Sequence, residues 1–144
     1  MTRQLLLRRI LPILYALAII TLSSMPNAQP PSFEIPNIDK FYHCLEYFIF
    51  GCLVFRAFPG IEASRKRIWL YLLLFAFGLA YAGLDETVQS FVPNRDSSLG
   101  DWLADATGYC LAGICVVAFR ARRRHNDVDA EHRAQPAAPE EEWR

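Results

Sequence analysis

The chain has 144 residues, 53% of them hydrophobic, and its 15 basic and 15 acidic side chains leave no formal net charge. That length is one domain, and the apolar residues gather into blocks close to the ~20 residues that cross a bilayer, so the chain reads as an integral membrane protein. The basic residues border those blocks, where they suit anionic lipid headgroups better than a groove for nucleic acid, and nucleic acid is not an expected partner.

Four apolar stretches follow one another at residues 10–25, 41–58, 68–84 and 102–119. The first comes after Arg8 and Arg9 and resembles the apolar region of a secretory signal, but the segment SSMPNAQPP at its end offers no clean cleavage site. It reads as an uncleaved span, with Leu5, Leu6 and Leu7 able to extend the helix toward its start. The next connection carries Pro26, Pro30, Pro31 and Pro36 and predicts an extended, irregular loop. Cys44, Cys52, Cys110 and Cys115 all lie inside predicted spans without a CxxC pair and read as small apolar packing residues. Trp69 and Trp102 are expected at the two membrane interfaces, with Tyr42 or Tyr109 in a similar role. After the last stretch the chain is charged and poor in large apolar side chains. Residues 121–144 are therefore expected to form a disordered cytoplasmic tail behind a transmembrane domain at residues 1–120.

The cations are dealt almost entirely to one side of these stretches. Arg3, Arg8 and Arg9 precede the first, Arg56, Arg65, Lys66 and Arg67 bracket the second connection, and Arg120, Arg122, Arg123, Arg124, Arg133 and Arg144 follow the fourth. Lys40 and Arg95 alone belong to the other connections. By the positive-inside rule this predicts an all-α, four-helix transmembrane bundle with both termini cytoplasmic and residues 26–39 and 89–100 outside.

Eight of the 15 acids fall in those outer connections or in the spans: Glu34, Asp39, Glu46, Asp85, Glu86, Asp96, Asp101 and Asp105. Ionisable groups within or near a bilayer are costly and usually face the bundle interior or a wet cavity. Asp39, His43, Glu46 and Tyr47 are spaced to share one helical face, with Lys40 on its flank. Asp85 and Gln89 are four apart, with Glu86 beside them. Asp101 and Asp105 are likewise four apart, on a face that also holds Ala104, Gly108 and Ala112, where small residues permit close helix contact. Asp39 and Asp101 suit helix amino termini, and Ser98 with Asp101 fits a capping box. Asp85 and Glu86 sit where the helix dipole opposes negative charge. They call for a compensating cation from Lys40, His43 or Arg95, a bound metal or cationic ligand, or protonation. The plain alternative is interhelical glue with no ligand.

The blocks DKFYHCLEYFIFG at residues 39–51 and DETVQSFVPNRDSSLGDWLADATG at residues 85–108 resemble the VanZ-like family of small bacterial membrane proteins. The resemblance covers roughly residues 38–115. It implies Asp39, Lys40, His43, Tyr47, Asp85, Glu86, Gln89, Arg95 and Asp101 as the characteristic polar residues, with Pro93 and Gly108 as matching backbone positions. Asp105 stands where the pattern usually has Asn and adds an acid to the set, and Asn94 stands where Gly is common. What the resemblance implies further is a bacterial cytoplasmic-membrane protein linked to glycopeptide resistance, with its polar face toward the envelope.

Three functions compete on these observations. The first is an outer acidic cavity that binds an envelope component, such as a lipid-linked cell-wall precursor, an anionic lipid or an amphiphilic antibiotic. The second is a membrane-embedded enzyme in which His43, Asp85 and Glu86, with Asp101, hold a divalent metal or act as acid and base. The third, a cation or proton pathway, is opposed by nearly uncharged spans below Glu46 and Asp105. Envelope binding is the reading preferred from sequence, with Asp39, Lys40, His43, Tyr47, Asp85, Glu86, Gln89, Arg95, Asp101 and Asp105 as the ligand-binding set.

Overall fold

Apolar runs with internal backbone hydrogen bonding are the natural solution in lipid, and the computed structural model is all-helical over its described residues, 3–26, 37–58, 67–95 and 97–134. The helices are α1 (Arg3–Ser23), α2 (Ile38–Arg56), α3 (Arg67–Ser90) and α4 (Leu99–Ala134). Three stretches, Arg3–Ser23, Ile68–Ser90 and Leu99–Arg133, are long and apolar enough to cross a membrane. α2, at 19 residues, has a rise of about 28 Å and matches the ~30 Å hydrocarbon thickness, but it carries Asp39, Lys40, Glu46 and Arg56. Its polar residues are directed largely at its neighbours. The first helix starts at Arg3, so the leucines before residue 10 do extend it, and Pro12 is accommodated within it.

Pairings between side chains give the relative directions. Lys40 meets Asp101, His43 meets Asp105 and Arg120 donates to the carbonyls of Phe55 and Phe58, so α2 and α4 run parallel in close contact. Glu86 meets Ser98, Leu79 meets Trp102 and Leu74 meets Tyr109, so α3 runs antiparallel to α4. α1 covers α2 and α3, with Tyr81 Oη donating to the Ala16 carbonyl at 2.6 Å. Small residues set the α2–α4 separation. A Cβ at Gly108 would collide with the Cys44 carbonyl oxygen, and one at Gly51 would lie 2.7 Å from Ala112 Cβ.

The core of the bundle is aromatic. Phe50 packs on Tyr81 and Tyr109 with ring centroids 5.1 and 5.7 Å apart, and Phe55 packs on Phe75 and Tyr109 at 4.9 and 5.6 Å. Tyr109 is fully buried and donates to the Leu74 carbonyl, and Trp102 is half-buried with its indole N–H on the Leu79 carbonyl. Tyr109 is therefore a core residue and not an interface marker, whereas Trp69 is exposed. The outward-facing positions are apolar too: Ile13, Leu17, Leu73, Leu103 and Ile114 all lie on the outer surface, as lipid contact requires.

One expectation falls differently. The tail expected to be disordered from residue 121 is helical as far as Ala134. Its Ala, Arg and Glu residues favour helix, Gly and Pro are missing from it until Pro136, and His125 pairs with Asp129 one turn on at 3.5 Å. Residues 135–144, the proline-rich first connection at 27–36 with Glu34, and Asp96 lie outside the described residues.

Candidate functional site

The end of α1, the start of α2, the end of α3 and the start of α4 lie together at one end of the bundle, while Arg3, Arg8, Arg9, Arg56 and Arg120 belong to the other. Three helices therefore bring their acids to one depth. Asp85 is 1% exposed, Glu86 9%, Asp101 5% and Asp105 0%, so this is a buried acidic cluster, called the chamber below, and not a solvated rim.

Each wall has a local reason. On α4, Ser98 stands before the first turn and its hydroxyl accepts the Asp101 N–H at 3.1 Å and donates to the Asp101 carboxylate, so the N-cap half of the expected capping box forms while the reciprocal bond to the Ser98 N–H does not. On α3, Glu86 Oε2 accepts the Ser98 N–H at 3.1 Å, tying the end of α3 to the start of α4. The turn between them includes Asn94 at φ 62°, a left-handed conformation that Gly adopts freely and Asn tolerates, so Asn suffices at this Gly-prone position. On α2, Asn37 is also left-handed, at φ 60°, and Asp39 occupies the first turn.

The cations are divided between α2 and the α3–α4 turn. Lys40 Nζ lies 3.1 Å from Asp39 Oδ2 and 2.8 Å from Asp101 Oδ1, bridging the amino ends of the two parallel helices. His43 Nδ1 lies 3.0 Å from Asp105 Oδ1 and 4.0 Å from Glu86 Oε1. Arg95 is half-buried and acts electrostatically on Asp85 and Glu46. Compensation is incomplete all the same. Glu86 Oε1 and Asp105 Oδ2 are buried with no hydrogen-bond partner among the described residues, whereas Asp85 has Ser23 and the Tyr47 hydroxyl beside it.

All the sequence-derived candidates, Asp39, Lys40, His43, Tyr47, Asp85, Glu86, Gln89, Arg95, Asp101 and Asp105, lie at this end of the bundle, with Asp39 at its half-exposed edge. Ser23 is the member that sequence reasoning missed. It is buried at the end of α1, beside Asp85, and its hydroxyl receives Gln89 Nε2 at 3.4 Å. A serine four residues after the buried Ile19 was the available signal. His43, Glu86 and Asp105 each offer one ligand atom, and these atoms lie within 4.8 Å of one another, so they could hold a metal ion.

A family model described as VanZ/LLP1 matches residues 6–120. The chain belongs to the VanZ/LLP1 family. Neither a curated protein nor a solved structure matches it. The VanZ/LLP1 match takes in every wall of the chamber, from Ser23 to Asp105, and ends at Arg120, where the helix leaves the bundle. The acidic chamber thus belongs to the VanZ/LLP1 portion of the chain and the helical extension at residues 121–134 does not.

Proposed function

We propose that this VanZ/LLP1 protein lies in the bacterial cytoplasmic membrane with its chamber open to the outer side, where it binds a cell-envelope component and contributes to glycopeptide-type resistance. The positive-inside distribution supports this orientation, since the arginine-rich end belongs in the cytoplasm. The observation that carries the binding reading is the pair of buried, unpartnered oxygens on Glu86 and Asp105. Glue between helices would satisfy its own polar groups, because an unmet buried acceptor costs roughly 1–3 kcal/mol. A chamber left with surplus negative charge is instead stabilised by taking up positive charge, carried by the bound component or by a cation that enters with it. The candidates are a lipid-linked cell-wall precursor and an amphiphilic antibiotic.

A membrane-embedded enzyme acting on such a lipid-linked substrate is the second reading, favoured by the proximity of His43 to Glu86 and Asp105, an arrangement able to move a proton. Two measurements test the binding proposal. A cysteine placed at Ser97 should react with an impermeant thiol reagent applied from outside, and labelling only after the membrane is breached contradicts the orientation. A photoreactive residue at Tyr42 should capture a lipid-linked precursor or a labelled glycopeptide in cells, and Asp85→Asn should abolish that capture. Equal capture by parent and variant removes the chamber from the account.

A further inference from the structure

The acidic chamber poses an electrostatic problem for its own proposed ligands. Most lipid headgroups of an envelope, including lipid-linked precursors, carry phosphate, and phosphate is repelled by buried carboxylates. Within the chamber, His43 and the guanidinium of Arg95 stand against Asp85, Glu86 and Asp105, with Glu46 half-buried nearby. Lys40 is engaged at the edge by Asp39 and Asp101. Among the described residues the acids here outnumber the cations, and either protonation or a bound cation can make up the difference.

We infer that His43, Glu86 and Asp105 hold a divalent transition-metal cation, and that its open coordination positions receive phosphate oxygens of an envelope lipid headgroup. The second half of this inference rests on the envelope-binding reading; the first half does not. The three ligand atoms lie within 4.8 Å of one another, and His43 Nδ1 is already 3.0 Å from Asp105 Oδ1 and 4.0 Å from Glu86 Oε1. Metal–ligand bonds of ~2.0–2.2 Å in a tetrahedral site place ligand atoms about 3.4 Å apart, so small side-chain rotations close the site. Independently of this spacing, Glu86 is 9% exposed and its Oε1, the atom nearest His43, has no hydrogen-bond partner, while Asp105 is 0% exposed with Oδ2 in the same condition. Oxygens buried and unmet beside an imidazole are what a cation would satisfy.

The donor set narrows the cation. One imidazole nitrogen with two carboxylates suits Zn²⁺ or Mn²⁺ better than Ca²⁺ or Mg²⁺, which favour all-oxygen surroundings. Three protein ligands leave at least one position open. Because His43 ligates only as neutral imidazole, a divalent cation there displaces its proton, raises the local charge by one relative to the imidazolium, and presents a Lewis-acidic face to an oxygen anion. Asp85, which contributes no atom to the metal triad, stays beside Ser23 and Tyr47.

The test uses the full chain in detergent, stripped with chelator and titrated with Zn²⁺ or Mn²⁺. One ion per chain is expected, with an X-ray absorption spectrum for zinc showing one nitrogen and two carboxylate ligands from the protein. Asp105→Asn and Glu86→Gln should each weaken binding at least tenfold, while His125→Asn on the helical extension leaves it unchanged. Circular dichroism establishes that each variant is folded, and the parent titration stands alone if one is not. Absence of stoichiometric binding in the parent, or undiminished binding in both folded triad variants, overturns the site. For the phosphate arm, the paramagnetic resonance spectrum of bound Mn²⁺ in nanodiscs should change on adding a polyprenyl phosphate and not on adding inorganic phosphate. A response to inorganic phosphate alone, or to neither, overturns the lipid assignment. Photocapture at Tyr42 that survives chelation overturns the metal's role in holding the lipid while leaving envelope binding in place; metal bound without any capture leaves the metal site and removes the envelope reading.

Discussion

The two halves of the bundle are built on opposite principles. Toward the arginine-bearing end, Phe50, Phe55, Tyr71 and Tyr109 interlock, Tyr109 places its hydroxyl on the Leu74 carbonyl, and Arg120 closes the end of α2 on the carbonyls of Phe55 and Phe58 at 3.0 and 3.2 Å. Toward the other end, carboxylates from α3 and α4 face α2 with oxygens of Glu86 and Asp105 unmet. Helix association in lipid draws on van der Waals packing and hydrogen bonds, since lipid tails are as apolar as the helices themselves. On the proposed function the aromatic half holds most of the bundle together, while the acidic half adds a few interhelical pairs and keeps its unmet oxygens for a ligand. That division separates the residues whose loss unfolds the protein from those whose loss disables it.

The sharpest way to break the aromatic half is at its closest backbone approach. Gly108→Ala should give the largest destabilisation, about 3 kcal/mol in reversible unfolding, because the new Cβ falls on the Cys44 carbonyl, a backbone group that cannot swing aside. A variant as stable as the parent would mean that α2 and α4 do not pack as described. Phe55→Ala should cost about as much. Its ring is fully buried among Tyr71, Phe75 and Tyr109, and its removal should cost about 3 kcal/mol, the low end of the range for buried rings because lipid and not water is the alternative surrounding. Thermal unfolding in detergent reads both.

Charge on the acidic side should weigh less on stability and more on function. Arg95→Glu replaces a cation acting on Asp85 and Glu46 with another acid, and it should lower stability by about 2 kcal/mol, discounted from a fully buried pair because Arg95 is only half-buried. Arg124→Glu, at an exposed position on the helical extension, should have no measurable effect on unfolding. Equal and mild effects of these two changes would remove Arg95 from the chamber's charge balance.

Much of this contrast was legible in the chain itself. Apolar runs at residues 41–58 and 68–84 anticipated α2 and α3 to within a few residues, apart from the six that α3 adds through Ser90, because hydropathy fades where Asp85 and Glu86 enter although the helix continues. Helical spacing likewise placed Lys40 and His43 on α2 and Asp101 and Asp105 on α4. What spacing could not supply was the choice of partner. Lys40 takes Asp101 and His43 lies closest to Asp105, because α2 packs in parallel on α4 through Gly108, a tertiary fact with no local signature. Ser23 was invisible for a related reason, since a hydroxyl at the end of an apolar run has no period of its own. The extension of α4 was missed because charge content was given more weight than the helix propensity of its Ala, Arg and Glu residues.

The central claim is that the acidic chamber serves a ligand and not the fold, and the double variant Asp85→Asn, Glu86→Gln tests it most directly. Both changes keep shape and much of the hydrogen-bonding capacity while deleting charge. Unfolding temperature in detergent should be measured beside photocapture at Tyr42 and glycopeptide susceptibility in cells. The account predicts an unfolding temperature at or above that of the parent, with capture abolished and susceptibility raised. A lowered unfolding temperature with capture and susceptibility unchanged would contradict it, and would make the acidic end part of the structural framework.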